Sequence, residues 1–279
     1  MVGMHELIRV ARSLGVDPEW YLREYFQRAI LHGISSLNFV DYYVLQGGTA
    51  LRIAYGSPRF SLDLDFTVIN RHISQLGGDV ATLVGFLNRF FSIYGLDVRK
   101  SREKIVEIEG FYRCLITFDT LELLGRKTRI RLELVIRQYQ NVKFRREIVT
   151  MNYPVRTAFG IQIKTPEQIL VDKLCSLAGG IHRGYIRWRD IFDIYWLVSR
   201  HNARVDMHYF QQEFGSWVEN IEDLKRLHDM LVEIQNQRSY GDIIDDLRKV
   251  LRADLVDRHL IDTYLRTAIS SIEQVISNE

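Results

Sequence analysis

The chain has 279 residues, 47% of them apolar and 26% charged, with a formal net charge of +2. That make-up belongs to a globular protein of one large or two small domains and excludes disordered, collagenous and disulfide-stapled chains. Cys114 and Cys175 have neither metal-binding nor disulfide-framework spacing, no apolar run approaches the roughly 18 residues of a membrane span, and no signal-peptide layout opens the chain, so a cytoplasmic protein without membrane association is expected.

Residues 4–44 carry helical periodicity through Ile8, Val10 and Ala11 and then Trp20, Tyr21, Tyr25, Phe26, Ile30 and Leu31. Two helices are expected, parted near Gly15, with Asp17 capping the second and Pro18 at its first position. A Gly-Gly-Thr turn at 47–49 precedes a short helix over Ala50–Tyr55, which Gly56-Ser57-Pro58 ends. Leu62–Ile69 reads as a strand and Val80–Tyr94 as an amphipathic helix. Strands are then expected over Asp97–Arg102, Phe111–Phe118, Lys127–Ile136 and Ile161–Lys164. Thr165-Pro166-Glu167 opens a helix through Leu177, Asp190–Ser199 forms another, and helical patterning continues to Glu279. The reading is α+β: a mixed sheet flanked by helices over 1–155, then a mainly helical part over 156–279.

The stretch LQGGTALRIAYGSPRFSLDLDFTV, Leu45 to Val68, carries the chemistry. Strand alternation turns Asp63 and Asp65 to one face and Leu64 and Phe66 to the other, into a core. Two carboxylates held side by side repel unless a cation lies between them, and a hard divalent ion with oxygen ligands, magnesium or manganese in its place, meets that need. Gly47, Gly48 and Thr49 can turn backbone N–H groups toward an anion. A third carboxylate is expected at Glu133, on the polar face of an alternating strand that would lie beside Leu62–Ile69. Its alternative employment is a cross-strand ion pair with Arg129 or Arg131. Basic residues outnumber acidic ones from Arg99 to Arg146, which fits either a face for a polyanion or ordinary solvated strands. Downstream, Lys173 is surrounded in sequence by Ile169, Leu170, Leu174 and Leu177, so a partly buried amine there requires an anionic partner. Asp190 and Asp193 lie one helical turn apart in RWRDIFD.

The blocks GGTALRIAYGSPRFSLDLDF, RLELVI, DKLCSL and RWRDIFDIYWL resemble the AbiEii-type nucleotidyltransferase toxins, a group that includes the MenT toxins and is similar to the DNA polymerase β superfamily. The resemblance runs from about Tyr25 to Leu197. It implies a nucleotidyltransferase-like mixed sheet, and transfer of a nucleoside monophosphate from an NTP to an acceptor with release of pyrophosphate. By resemblance Gly47, Gly48 and Thr49 hold the triphosphate, Asp63 and Asp65 hold magnesium, and Glu133 is a third metal ligand or the base for the acceptor hydroxyl. Arg59 and Lys173 pair with phosphates, Ser61 and Arg187 contribute to substrate binding, and one of Asp190 and Asp193 completes the site. The helical C-terminal part would thus contribute Lys173 and Asp190 or Asp193. The resemblance further implies the 3′ end of tRNA as acceptor, arrest of translation, a role in phage defence and a cognate antitoxin as partner.

Two other readings fit parts of the sequence. Asp63-Leu64-Asp65-Phe66-Thr67 matches the Asp-x-Asp-x-Thr of haloacid-dehalogenase-like phosphatases, with Asp63 as nucleophile on a doubly wound parallel sheet. A protein hydroxyl would also meet the chemical requirement for an acceptor. On the nucleotidyltransferase reading Asp65→Ala or Lys173→Ala abolishes transfer and leaves the fold intact.

Overall fold

Asp17 and Pro18 start a helix as their types dictate: the Asp17 carboxylate accepts the Glu19 N–H at 2.7 Å, and the ring of Pro18 occupies a position where no intrahelical donor is needed. The computed structural model describes residues 2–152, 156–217 and 221–278. The order of its main elements is α1 (Val2–Ser13), α2 (Pro18–Ser36), β1 (Tyr43–Gln46), α3 (Gly47–Ile53), β2 (Asp63–Val68), α4 (Ile73–Ser92), β3 (Val98–Val106), β4 (Phe111–Phe118), α5 (Leu121–Leu124), β5 (Thr128–Ile136), β6 (Phe144–Met151) and β7 (Thr157–Lys164). Six helices follow: α6 (Pro166–His182), α7 (Trp188–His201), α8 (Met207–Trp217), α9 (Ile221–Gln237), α10 (Gly241–Leu247) and α11 (Arg258–Ile276).

The chain forms two compact units, one of residues 1–54 and 60–163, the other of 55–59 and 164–279. The sequence-based boundary at 155 falls within 153–155, outside the described residues.

In unit 1 the strands form one mixed sheet in the order β3-β4-β5-β2-β1-β7-β6. The pairs β1–β2, β3–β4 and β4–β5 are antiparallel, whereas β2–β5 and β1–β7 are parallel. The fold is therefore α+β, as the sequence indicates. It is not the doubly wound parallel sheet that the phosphatase reading requires. Asp63 also opens β2, whereas ligands of doubly wound sheets gather at the carboxyl ends of strands. The phosphatase reading is set aside on both grounds.

One face of β2, β4 and β5 is apolar and covered. Leu64, Phe66, Tyr112, Cys114, Ile116, Leu132 and Leu134 are all buried. Phe26 of α2 stacks on Phe118 with centroids 4.1 Å apart, and Phe91 of α4 meets both rings edge-on at 5.6 and 5.7 Å. Two strands escaped the sequence patterning. In β1, Tyr43, Val44 and Leu45 are all buried, so it has no alternation to read. In β6, at the sheet edge, Arg145, Arg146 and Glu147 interrupt the apolar pattern.

Helix α2 also fixes the start of β2. The Gln27 amide is buried and donates to the carbonyls of Ser61 at 3.0 Å and Asp63 at 3.4 Å. Arg23 donates to the carbonyl of Arg129 at 2.6 Å, holding the start of β5 in the same way.

Unit 2 is helical. Pro166 occupies the first turn of α6, as expected. Its core includes Leu170, Leu174, Phe192, Leu227 and Leu265, with Phe192 edge-on to Tyr264 at 5.3 Å. Among the described residues, no helix is long and apolar enough to cross a membrane.

Replacing Gln27 with Leu keeps the volume but leaves the Ser61 carbonyl without the amide donor. A loss of about 1–3 kcal/mol is expected, read from the urea midpoint. An unchanged midpoint would show that the amide does not anchor β2.

Candidate functional site

Within unit 1, the parallel register of β2 and β5 sets Asp63 opposite Arg131 and Asp65 opposite Glu133. Directly paired positions share a face and neighbouring strands run about 4.8 Å apart, so Asp63, Asp65 and Glu133 stand together on the open side of the sheet. The strand carrying Glu133 thus lies beside β2, as its alternation suggested. The Asp63 and Glu133 side chains keep 22% and 25% of their exposure, which leaves their oxygens within reach of a solute. Arg131 Nη1 lies 3.8 Å from an oxygen of each, and Arg113 Nη1 lies 3.8 Å from Glu133. These separations are of ion-pair length and beyond direct hydrogen bonding.

The Gly-Gly-Thr turn meets the same carboxylates. Gln46, the last residue of β1, is registered against Asp65, and its amide oxygen accepts from Thr67 at 2.6 Å. Gly47 follows with φ +70°, and a Cβ there would come 2.5 Å from Asp65 Oδ2. Only glycine allows this backbone to turn so close to the carboxylate. Gly48 continues into α3. The hydroxyl of Thr49 is buried and donates to the Asp63 carbonyl, and the Ser61 hydroxyl reaches that same oxygen at 3.5 Å. Both hydroxyls, expected from the resemblance at the substrate, here brace the first residue of β2.

In unit 2, considered by itself, four ionic side chains interlock. Arg59 donates from two guanidinium nitrogens to the two oxygens of Asp193, at 2.6 and 2.7 Å. Lys173 Nζ lies 2.7 Å from Asp190 Oδ1 and 2.7 Å from Asp193 Oδ2. The Ser176 hydroxyl donates to the other oxygen of Asp190 at 3.0 Å. All four ionic residues are buried, which two cations and two anions permit by balancing each other. Burial alone pushes the Lys173 pKa down, but Asp190 and Asp193 outweigh it and hold the pKa above the ordinary lysine value. Burial pushes Asp190 up, yet Lys173 first, with Arg187 and Arg189 behind it, keeps its pKa below the usual carboxylate range. Arg187 itself is exposed at the start of α7. Removing Lys173 therefore strips a buried carboxylate of its cation, so Lys173→Ala is not neutral for the fold, contrary to the sequence-based expectation.

Sequence reasoning missed Gln27 and Gln46, since single amides in apolar surroundings carry no pattern. It also missed a second ion group, buried Lys164 with half-buried Asp172 at 2.9 Å and the Tyr209 hydroxyl at 2.6 Å, of which only Tyr209 lies far off along the chain.

The donor chemistry around β2 is all carboxylate oxygen, the kind hard divalent cations take. Among the described residues, no three His, Cys, Asp or Glu side chains are gathered tightly enough to enclose an ion. Magnesium does not require such a cage, because it binds through one or two carboxylates together with substrate phosphates and water. Asp63 and Asp65 fit that mode.

A family model described as Nucleotidyl transferase AbiEii toxin, Type IV TA system, matches residues 28–272. No curated protein matches the sequence. Among solved structures, JHP933 from Helicobacter pylori is similar with a TM-score of 0.55 at 19% identity, over 94% of this chain and 95% of that one. A second H. pylori structure, provisionally described as a nucleotidyltransferase, gives a TM-score of 0.54 at 20% identity, over 95% and 99% of the two chains. At these identities the likeness is one of fold.

Two predictions follow from the geometry. Gly47→Ala should cost about 1–2 kcal/mol through its positive φ, and more through collision with Asp65. Gly56→Ala, at φ +66° with open space around it, should pay the backbone strain alone, so equal urea midpoints for the two variants would refute the collision. Lys173→Met should destabilise by about 3–5 kcal/mol. A raised lysine pKa stabilises below its unfolded value, and the benefit fades as pH rises through the folded one. A depressed aspartate pKa stabilises above its unfolded value, and the benefit fades as pH falls through the folded one. Wild type keeps these charges between about pH 5 and pH 9, but in Lys173→Met burial raises the pKa of the now unpaired Asp190. The penalty should therefore be largest near neutral pH and shrink as pH falls, and a penalty that stays flat down to about pH 4 would contradict the assigned charges.

Proposed function

The chain belongs to the AbiEii nucleotidyltransferase toxin family, and from that premise we propose that it transfers a nucleoside monophosphate from an NTP to the 3′ end of tRNA and so arrests translation. The observation that carries the chemistry is the register of Asp63 and Asp65 beside Glu133 on the open sheet face, with the Gly47 backbone turned against Asp65.

In this reading the acceptor 3′ oxygen attacks the α-phosphorus. One P–O bond forms, the bond to the β-phosphate bridging oxygen breaks, pyrophosphate leaves and the hydroxyl proton passes to a base. Asp63 and Asp65 would hold magnesium, or manganese in its place, which when bound neutralises triphosphate charge beside the carboxylates. The backbone of Gly47 and Gly48 would take phosphate oxygens, while the buried Thr49 hydroxyl keeps β2 in position. Glu133 either adds a further oxygen ligand or receives the acceptor proton. For unit 2 we propose that Lys173, Arg59 and the Asp190–Asp193 pair are required for transfer, with Arg187 in substrate binding. Such transfer depends on positioning and charge neutralisation more than on covalent catalysis. The family's description as a toxin of a type IV toxin–antitoxin system supports a cognate antitoxin, and we take its action to be cytoplasmic and directed to phage defence.

The test incubates the protein with total tRNA, magnesium and each α-labelled NTP, beside Asp65→Asn. Label on tRNA, reduced at least about a hundredfold by the substitution, is the expected result. Label on the protein itself would move the acceptor to a side-chain hydroxyl. Equal labelling by wild type and variant would remove Asp65 from the reaction.

A further inference from the structure

The basic run seen in the sequence does not persist as one patch. Arg126 pairs with Glu19, Lys127 with Asp119 at 2.8 Å, Arg145 with Glu147 at 2.8 Å and Arg146 with Asp41 at 3.3 Å. Strand register builds a different surface instead. Across the open face of β3, β4 and β5, one row of directly paired positions is Arg99, Thr117 and Arg129. The next is Ser101, Leu115 and Arg131, which continues to Asp63. The third is Lys104, Arg113 and Glu133, which continues to Asp65.

On β3–β5 these rows hold five cations (Arg99, Lys104, Arg113, Arg129, Arg131) against the single carboxylate of Glu133. Arg99 pairs with Asp97 at 3.2 Å in an open contact that leaves its side chain 75% exposed, and the side chains of Arg113 and Arg131 are 40% and 44% exposed. Arg129 and Lys104 are exposed and make no ion pair with any described residue. Partly exposed Leu115 and Phe111 lie among them, with the Arg113 guanidinium 6.0 Å from the Phe111 ring centre. Cations interleaved with apolar side chains suit single-stranded nucleic acid, whose phosphates take the charges and whose bases take the apolar surface. Three strand spacings, roughly 14 Å, separate the outer strand from β2.

Building on the transfer reaction proposed above, we infer that the open face of β3, β4 and β5 is the docking track for the single-stranded end of an RNA acceptor. Arg99, Lys104, Arg113, Arg129 and Arg131 engage its phosphates, and the rows lead it to Asp63 and Asp65.

The test measures binding of a short fluorescent single-stranded RNA by anisotropy across a salt series, without NTP. The full-length wild type is compared with the triple variant Arg99→Gln/Lys104→Gln/Arg129→Gln, whose residues touch neither Asp63 nor Glu133. A control triple, Arg9→Gln/Arg89→Gln/Arg146→Gln, removes equal charge elsewhere on unit 1. With about 0.7 of a log–log salt slope per phosphate contact, the track variant should lose about 2 units of slope and the control almost none. Binding of labelled NTP should be unchanged, and the RNA KM should rise with kcat retained. Equal slopes in wild type and track variant, or equal losses in both triples, overturn the track. A wild type that ignores RNA but binds polyglutamate through the same three residues overturns it in favour of an acidic protein partner. RNA binding with the expected dependence, in a protein that transfers no nucleotide, would sustain the track and defeat the reaction.

Discussion

A slip of β2 by one residue against β5 would drive Asp63 and Asp65 into the covered face of the sheet and expose Leu64 and Phe66. Each unpaired carboxylate so buried would cost several kcal/mol, and each apolar side chain so exposed would forfeit about 1.5–3 kcal/mol. The same alternation that builds the core under α2 and α4 therefore holds the acidic group on the accessible side. Gln27 and Thr49 reinforce it from the strand end, where both bond the carbonyl of Asp63. Packing and site geometry depend on one registration.

The two units treat charge in opposite ways. On the open face of unit 1, Arg113 and Arg131 stand 3.8 Å from the carboxylates and remain substantially exposed. Such pairs are weak and exchange readily with solutes. In unit 2, Arg59, Lys173, Asp190 and Asp193 are buried at hydrogen-bond distances, where loss of one partner leaves a charge that nothing nearby replaces. The first arrangement suits a surface that accepts polyanions and cations. The second suits a rigid core in which Asp193 is held by two cations at once.

Glycine has a comparable dual role at Gly47. Its positive φ makes the sharp turn from β1 into α3, and its missing side chain leaves the space that the Asp65 carboxylate occupies. The turn and the clearance for the Asp65 carboxylate thus both rest on the absence of a side chain at Gly47.

The sequence by itself determined the α+β class, the Asp17–Pro18 helix start, a strand read over Leu62–Ile69 and observed over Asp63–Val68, and the common face of Asp63 and Asp65. Those features rest on local rules: capping chemistry, period-two alternation and the conformational demands of glycine and proline. The tertiary structure alone decided that β5 lies parallel to β2 with Glu133 at Asp65, that Arg59 closes on Asp193, and that Thr49 and Ser61 turn to the Asp63 carbonyl. Each of these pairs residues 14 to 134 positions apart except for Ser61, which the bend before β2 brings back onto its neighbour. It also decided that the basic run would divide into neutralised pairs and an open cationic face, because strand pairing sorts side chains by parity and register, and neither is fixed until the partner strand is chosen.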